Sequence, residues 1–315
     1  MGMTGARATW LSLGEGGTPL VRAPRISETL GLELHLKCEH LNPTGSFKDR
    51  GMAVAVERAA ARGVQTVVCA STGNTAASAA AYAARAGLEA VVLTPAGATA
   101  GPKRAQARAA GARVIEIAGT FDDALRLCRE LGARDGFVLV NSVNPDRIAG
   151  QKSVAYEIVE QLGSVPDVVA LPFGGGGNVS AVAAGFAEAG AAPRIIVGQA
   201  AERPTTWASA IRIGEPAHAA HVAELVAAGR VEIFTLSEDQ LRAAWERLAK
   251  EEGAFCEPAS AAGLAALELC VASQLKGLVA VAILTGHGLK DAEAVAHTAE
   301  VVVDATLDAV LEVLS

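Results

Sequence analysis

A chain of 315 residues, with 51% apolar and only 4% aromatic residues, has material for a large core built mostly of Ala, Val and Leu, and its length points to two domains. The net charge of −7 argues against nucleic acid or an anionic membrane as a main partner. No apolar run reaches membrane-spanning length and no basic region followed by a hydrophobic core opens the chain, so a soluble, unexported, cytoplasmic protein is expected.

In chain order, short β-rich runs alternate with Ala-rich helical runs. Strands are expected at Glu33–Lys37, Thr66–Ala70, Ala90–Leu93, Arg113–Ile117, Phe137–Val140, Val168–Leu171, Arg194–Gly198, Val231–Thr235 and Leu278–Leu284. Helices are expected at Met52–Ala61, Thr75–Ala86, Lys103–Ala110, Phe121–Leu131, Ile148–Leu162, Val179–Ala189, Glu238–Glu252, Pro258–Val271 and, closing the chain, Asp304–Leu314. This alternation defines the fold class as α/β, with two open parallel-sheet units and active-site residues at the carboxyl ends of strands. Asn, Pro and Gly cluster over Val140–Gln151, which reads as the crossover between the units.

Four loops carry the chemistry. In Leu41–Gly51, Pro43 and Gly45 punctuate a turn, Ser46 is the expected N-cap, and Lys48 falls in the first turn of the following helix. The positive end of a helix dipole disfavours a cation, so the Lys48 amine should lose its proton more readily than an ordinary lysine. On this stretch alone a reactive amine and a surface lysine stand as equals. The second loop, Ser71-Thr72-Gly73-Asn74-Thr75, offers backbone N–H groups and short polar side chains at a helix start; taken singly, an ordinary cap is the simpler account.

The third loop, Gly174-Gly175-Gly176-Gly177-Asn178, lies between a strand and a helix and frees the backbone to turn several N–H groups toward one phosphate. Its spacing is neither GxGxxG nor a P-loop. The fourth, Thr285-Gly286-His287-Gly288-Leu289-Lys290-Asp291, suggests close approach of a ligand or a neighbouring backbone, with His287 as a hydrogen-bonded wall residue in preference to a general base. A lysine at a helix start together with a separate phosphate cradle points to pyridoxal phosphate as cofactor.

Cys38, Cys69, Cys128, Cys256 and Cys270 show no CxxC pattern and read as free thiols of a reducing compartment. The histidines give no metal-ligand spacing; His218 and His221, three apart, read as a solvated helix face, and no metal is expected.

Gly16-Gly17-Thr18-Pro19-Leu20, NPTGSFKDRG (42–51), STGNTA (71–76), NSVNPDRIAGQK (141–152), EPASAA (257–262) and TGHGLKD (285–291) occur in this order over nearly the whole chain. In these segments the chain resembles the threonine synthases, of the tryptophan-synthase-β-like class of pyridoxal phosphate enzymes. The resemblance implies fold type II, two α/β domains with the cofactor between them: a large one of residues 1–49 plus 148–315 and a small one of 50–147. It implies that Lys48 forms the Schiff base and shuttles protons, Asn74 bonds the cofactor's phenolic oxygen, Gly174, Gly175, Gly176, Gly177 and Asn178 bind its phosphate, and Thr285 faces the pyridine nitrogen. The substrate implied is a small phosphorylated amino acid, O-phosphohomoserine, with its phosphate received by Ser71, Thr75, Asn141, Ser142 and Arg147 and with Lys152 nearby. Glu257 would be a wall or capping residue, Asp49 and Arg50 would fix the lysine helix, and a homodimer is the family expectation. Two departures bear on the substrate: the loop reads GGGGN where close threonine synthases commonly have GNAGN, and the region Gly198–Ile213 is short. A threonine/serine dehydratase or a β-replacement synthase acting on O-phosphoserine would keep Lys48 and the glycine loop, so both stand as rivals.

Overall fold

The computed structural model describes residues 10–97, 101–295 and 301–314. Among the described residues, ten strands form two sheets. The first contains Leu20–Arg22 (β1), Glu33–Lys37 (β2), Val168–Pro172 (β7), Arg194–Ala200 (β8), Val231–Leu236 (β9) and Val279–Ile283 (β10), in the order β1-β2-β10-β7-β8-β9. The second contains Thr66–Ala70 (β3), Glu89–Pro95 (β4), Arg113–Ile117 (β5) and Phe137–Leu139 (β6), in the order β5-β4-β3-β6. Only the short β1 runs antiparallel to its neighbour; the other pairs are parallel, with Val68 opposite Val91 and Leu139, and Ala282 opposite Leu36 and Ala170.

Both faces of each sheet are covered, which is why these strands read as continuous apolar runs. Alternate residues of β7 enter opposite cores: Val168 and Ala170 pack with Leu241, Leu264 and Leu267, whereas Val169 and Leu171 pack with Val154, Val179 and Phe186. The smaller sheet repeats the scheme, with Val67 and Cys69 against Met52, Ala79 and Tyr82, and Val68 and Ala70 against Ala124 and Cys128. Leu11, near the start of the chain, joins the core of the smaller sheet.

The helices are Pro24–Leu30 (α1), Lys48–Ala61 (α2), Asn74–Ala86 (α3), Pro102–Ala109 (α4), Phe121–Gly132 (α5), Pro145–Gln151 (α6), Ser153–Leu162 (α7), Gly177–Glu188 (α8), Ala219–Ala227 (α9), Glu238–Glu252 (α10), Ala262–Gln274 (α11) and Leu307–Leu314 (α12). Three elements fall outside the sequence-based set: β1, α1 and α9. β1 is too short to show a period, α1 opens directly on Pro24, and α9 is a surface helix in which only Val222 is buried. The expected single helix Ile148–Leu162 is two helices meeting at Lys152; the first begins earlier because Asn144 caps it, accepting from Asp146 N, and Pro145 follows at the first turn.

The helix that carries Lys48 is fixed from several directions. It starts at Lys48 itself, with Phe47 and not Ser46 at the cap position; Ser46 Oγ is buried without a partner. Asp49 accepts from Thr44 N (2.7 Å), Thr44 Oγ1 (2.6 Å) and Ser78 Oγ (2.6 Å), joining the lysine loop to α3. One turn on, buried Arg50 bonds Glu39 (2.5 Å) and Glu157 (2.7 Å), and Lys37 also reaches Glu157 (2.9 Å). Burial alone would raise the Glu157 carboxyl, but these cations bring it down to about 2. This buried network ties α2 to β2 and α7, so the lysine is anchored to the larger sheet while its helix packs under the smaller one.

Candidate active site

The carboxyl ends of β3, β4, β6, β7 and β10 surround one cavity of about 1040 Å³. It is lined by Lys48, Ser71, Asn74, Thr75, Asn141, Ser142, Gly174, Gly175, Gly176, Gly177, Asn178 and Thr285, so twelve of the fourteen residues singled out from sequence meet in one place. Lys48 lies between the sheets because Phe47 N donates to Thr285 O (3.0 Å) and Ser46 pairs with Gly286 as an isolated bridge. Among the described residues its Nζ has no hydrogen-bond or ion-pair partner and rests 4.4 Å from the centre of the Phe47 ring. Burial pushes the amine down to about 7; the charge of Arg147 adds to this and that of Glu257 opposes it.

The glycine loop leaves β7 and turns into α8. Gly176 holds φ +84, the left-handed region, and a Cβ there would also press on His218 Cβ at 2.9 Å, so the loop cannot carry a side chain at this point. Gly177, Asn178 and Val179, the first turn of α8, line the cavity, and a helix's first turn is where free N–H groups take an anion. Beside them, Asn178 Nδ2 is a buried donor without a partner among the described residues. Outside the loop, Arg203 donates to Gly174 O (3.4 Å) and Ile213 O (3.2 Å), and His218 N donates to Gly175 O (3.1 Å). His218 Nε2 donates to Ser142 O (2.9 Å), so this histidine bridges the cradle to the loop after β6 and is no solvated face residue; His221 lies in the solvent-exposed turn, paired with Glu224.

Asn74 is buried at the start of α3, with Nδ2 toward Glu257 (2.8 and 3.1 Å) and Oδ1 unpartnered. Thr285 Oγ1 lies 3.1 Å from Ser260 Oγ, which in turn accepts from Thr285 N and Gly286 N (3.0 Å each). His287 accepts from Leu289 N through Nδ1 and donates its own N–H to Gly45 O: it caps the 3₁₀ turn Gly288–Ala294 and, against expectation, is not among the residues that line the cavity. Ser71 Oγ accepts from Gly73 N (3.0 Å). Asn141 faces the cavity, but both ends of its amide are bonded to the backbone of Ala70 (2.9 Å each). Its role in this structure is to extend the pairing between β3 and the loop after β6.

Two of the expected substrate residues do not face the cavity. Arg147 is fully buried beneath α2, donating to Val140 O (2.9 Å) and Gln151 Oε1 (3.3 Å), with Nε unpartnered. It acts on the site through its charge. Lys152 points away from the cavity and pairs with Glu188 (2.5 Å) at the end of α8. Both sit in the α6–α7 segment, which the sequence pattern treats as one helix and the structure as two meeting at Lys152.

Sequence reasoning gave no role to Lys103, Lys290 or His218, which stand in this site or against it. Lys290 is buried, bonds Gln106 Oε1 (2.9 Å) and is pushed down to about 8 by burial. Lys290 lies in the loop Thr285–Asp291 that the sequence singles out, without marking the lysine itself, and nothing in local patterning distinguishes Lys103 or His218 from a surface residue.

The arrangement is that of an enzyme gripping a small anionic cofactor between two parallel sheets, with a reactive amine at one end and a phosphate cradle at the other. The profile of the pyridoxal-phosphate dependent enzyme family matches residues 11–286, and the chain belongs to that family; its cofactor is pyridoxal phosphate. The threonine synthase of Halalkalibacterium halodurans is 45% identical over 309 residues, covering 92% of this chain and 87% of that protein. The threonine synthase of Bacillus sp. (strain ULM1) is 46% identical over 299 residues, covering 89% and 85%. Among solved structures, the processed form of threonine deaminase isoform 2 from Solanum lycopersicum superposes with a TM-score of 0.77 at 24% identity, over 86% of this chain and 79% of that one, a likeness of fold. The fold type II arrangement expected from the sequence is thus the one observed.

The residues present fit the cofactor. An unpaired amine of lowered basicity can take an aldehyde, the glycine loop with the unpartnered Asn178 donor can take a phosphate, and the Thr285 hydroxyl is a neutral partner for a ring nitrogen.

Proposed function

We infer that this chain is a threonine synthase, converting O-phospho-L-homoserine and water to L-threonine and phosphate. The observation that carries the reading is 41–46% identity to threonine synthases over at least 89% of the chain, combined with a cavity that holds a lysine of lowered basicity. Bound pyridoxal phosphate supplies the electron sink for γ-elimination of phosphate followed by addition of water at Cβ. Lys48 would hold the cofactor's aldehyde and, freed when the substrate's amine takes its place there, would accept the Cα proton and then handle the proton at Cβ; an amine with pKa about 7 is matched to both directions of transfer near neutrality. Thr285, as a neutral hydroxyl, leaves the pyridine nitrogen less protonated than a carboxylate would, which suits loss of a leaving group better than transamination. Asn74 is assigned to the phenolic oxygen, and the loop 174–178 to the cofactor phosphate.

For the substrate phosphate we propose Ser71, Thr75 and Ser142, with the backbone held by Asn141. The Arg147 guanidinium, fully buried and with no ion pair among the described residues, adds positive potential behind Lys48, which supports an anionic substrate. Gly175 favours the dehydratase as second reading, because the loop offers no side chain to a second phosphate; a Cβ there would meet only Ile213 Cδ1, at 3.6 Å. The two readings part in one assay. With cofactor-loaded enzyme, O-phosphohomoserine should give equal amounts of threonine and phosphate, whereas formation of a 2-oxo acid from threonine at a comparable rate would sink the synthase reading.

We also propose the domain division at residues 1–49 plus 148–315 and 50–147, supported by the separate cores of the two sheets, with Leu11 as the one residue crossing over. No helix among the described residues is long and apolar enough to cross a membrane. We extend the reading to a cytoplasmic homodimer. Exposed Val301, Val302, Leu307 and Leu311 support a further protein contact. Sedimentation should give twice the chain mass of 32.0 kDa, and a particle of single-chain mass would end the dimer reading.

A further inference from the structure

Glu257 opens the 3₁₀ turn Pro258–Ala261 and is 1% exposed, yet it lies against Lys103 at the cavity. Its carboxylate receives Lys103 Nζ at 2.8 Å and Asn74 Nδ2 at 2.8 and 3.1 Å, and its charge acts on Lys48 and Lys290. The backbone makes room for it: a Cβ on Gly286 would overlap Glu257 Oε2 and come within 2.5 Å of its Cδ, while Glu257 N donates to Gly286 O (2.7 Å). Lys103 comes from α4, beside the smaller sheet, and its ammonium also reaches Ser209 Oγ (3.2 Å) and Asp291 Oδ2 (3.8 Å) on the opposite side of the cleft. Ser209 donates to Asp291 (2.5 Å), so the cluster spans the cavity mouth.

A carboxylate only accepts, so it dictates which end of the Asn74 amide faces it. Turned over, Asn74 would set Oδ1 against two carboxylate oxygens; as found, the NH2 end is fixed and Oδ1 is left without a partner. The amide nitrogen has two hydrogens, of which Glu257 needs one. The other is free for an acceptor in the cavity, and a phenolate oxygen is an acceptor.

We propose that Glu257 is a positioning residue for the cofactor ring, acting by holding the Asn74 amide with its NH2 end toward the cavity, and that Lys103 is the counter-ion that keeps this carboxylate in place across the cleft. The inference rests on the assignment of Asn74 to the phenolic oxygen, but not on which substrate the enzyme takes.

The test uses the full chain, pyridoxal phosphate and no substrate, reading the cofactor's dissociation constant and the visible absorbance of the bound form. Asn74→Ala and Glu257→Ala should each weaken cofactor binding about tenfold, the effect of one lost charge-assisted hydrogen bond, and displace the absorption band in the same sense. The double variant should be no worse than the weaker-binding single one, because Glu257 acts through Asn74. Glu257→Gln keeps an acceptor facing Asn74 and should recover most of the binding. Multiplied losses in the double variant, or an unmoved band in Glu257→Ala, would overturn the proposal. If Asn74→Ala itself leaves the band unmoved, the Asn74 assignment falls and this inference with it. Should Glu257→Ala fail to fold, Lys103→Met carries the test, since that side chain lies at the cavity edge: it should move the band, and Lys103→Arg should move it back. A band that neither Lys103 variant changes is the contrary result.

Discussion

Lys48→Met is expected to lower turnover of O-phosphohomoserine by at least about 10⁴-fold while making the cofactor-free chain more stable near pH 7. The first effect follows because the other cationic side chains lining the cavity are already engaged, Lys103 with Glu257, Lys290 with Gln106 and Arg212 with Thr206 O, while Arg147 lies buried beneath α2. None can substitute as an amine that both takes an aldehyde and moves protons. The second effect has the opposite sign and the same cause. Burial, aided by Arg147, holds the folded-state pKa of Lys48 at about 7, against 10.5 for the free side chain. Between these values the unfolded chain binds the proton and the folded chain does not, so stability attributable to this group rises with pH from about 7 to about 10.5 and is lowest below 7. Lys48 lines an open cavity and is only partly shielded from water, so the full shift overstates the cost; roughly 2–3 kcal/mol remains as a working figure. Urea denaturation of cofactor-free protein should therefore show Lys48→Met more stable than the parent at pH 7, with the gap closing by pH 10. Equal stability at pH 7, or turnover within about tenfold of the parent, would contradict the role given to this amine.

The loops that carry this chemistry were legible because they are local. A lysine behind a Pro/Gly/Ser turn, four glycines between strand and helix, and Thr285 after an apolar strand each announce themselves within a few residues. The strands were legible for a related reason: buried on both faces, they leave continuous apolar runs that need no partner to be recognised. Direction is what the sequence does not carry. Arg147 and Lys152 sit in a motif whose first three residues line the cavity, yet one lies under α2 and the other pairs with Glu188. The same limit hid Lys103 and left Glu257, expected as a wall or capping residue, without its partners. Each is an unremarkable residue on its own element, and their significance is a distance of 2.8 Å across a cleft between two sheets. His218 is a further instance, since its bond to Ser142 O depends on how α9 is placed against the glycine loop.

Gly150→Ala is the second large effect, expected to destabilise the protein by about 3 kcal/mol and to lower turnover by about 100-fold. Helix propensity alone predicts the reverse, since Ala replacing Gly inside a helix stabilises by about 1 kcal/mol. The structure decides the sign. α2 and α6 cross at their closest approach through Gly51 and Gly150, and a Cβ on Gly150 would overlap Arg50 O and come within 2.9 Å of Arg50 C and Gly51 Cα. The obstacle is backbone on the facing helix, which cannot rotate aside as a side chain can, so the helices must separate. The facing helix is the one that begins at Lys48, two residues before Arg50. Arg50 is held by Glu39 and Glu157, so α2 is pressed from one side and tethered on the other, and the strain reaches its first turn. A displacement of about 1 Å there is enough to spoil proton transfer at a fixed cofactor. Gly51→Ala should behave alike, because its Cβ would overlap Arg147 O and lie 2.9 Å from Arg147 Nε. Thermal unfolding and steady-state turnover of the two variants check this together: a Gly150→Ala protein that is more stable than the parent would mean that propensity outweighs the contact, and that the lysine helix is not held by this crossing.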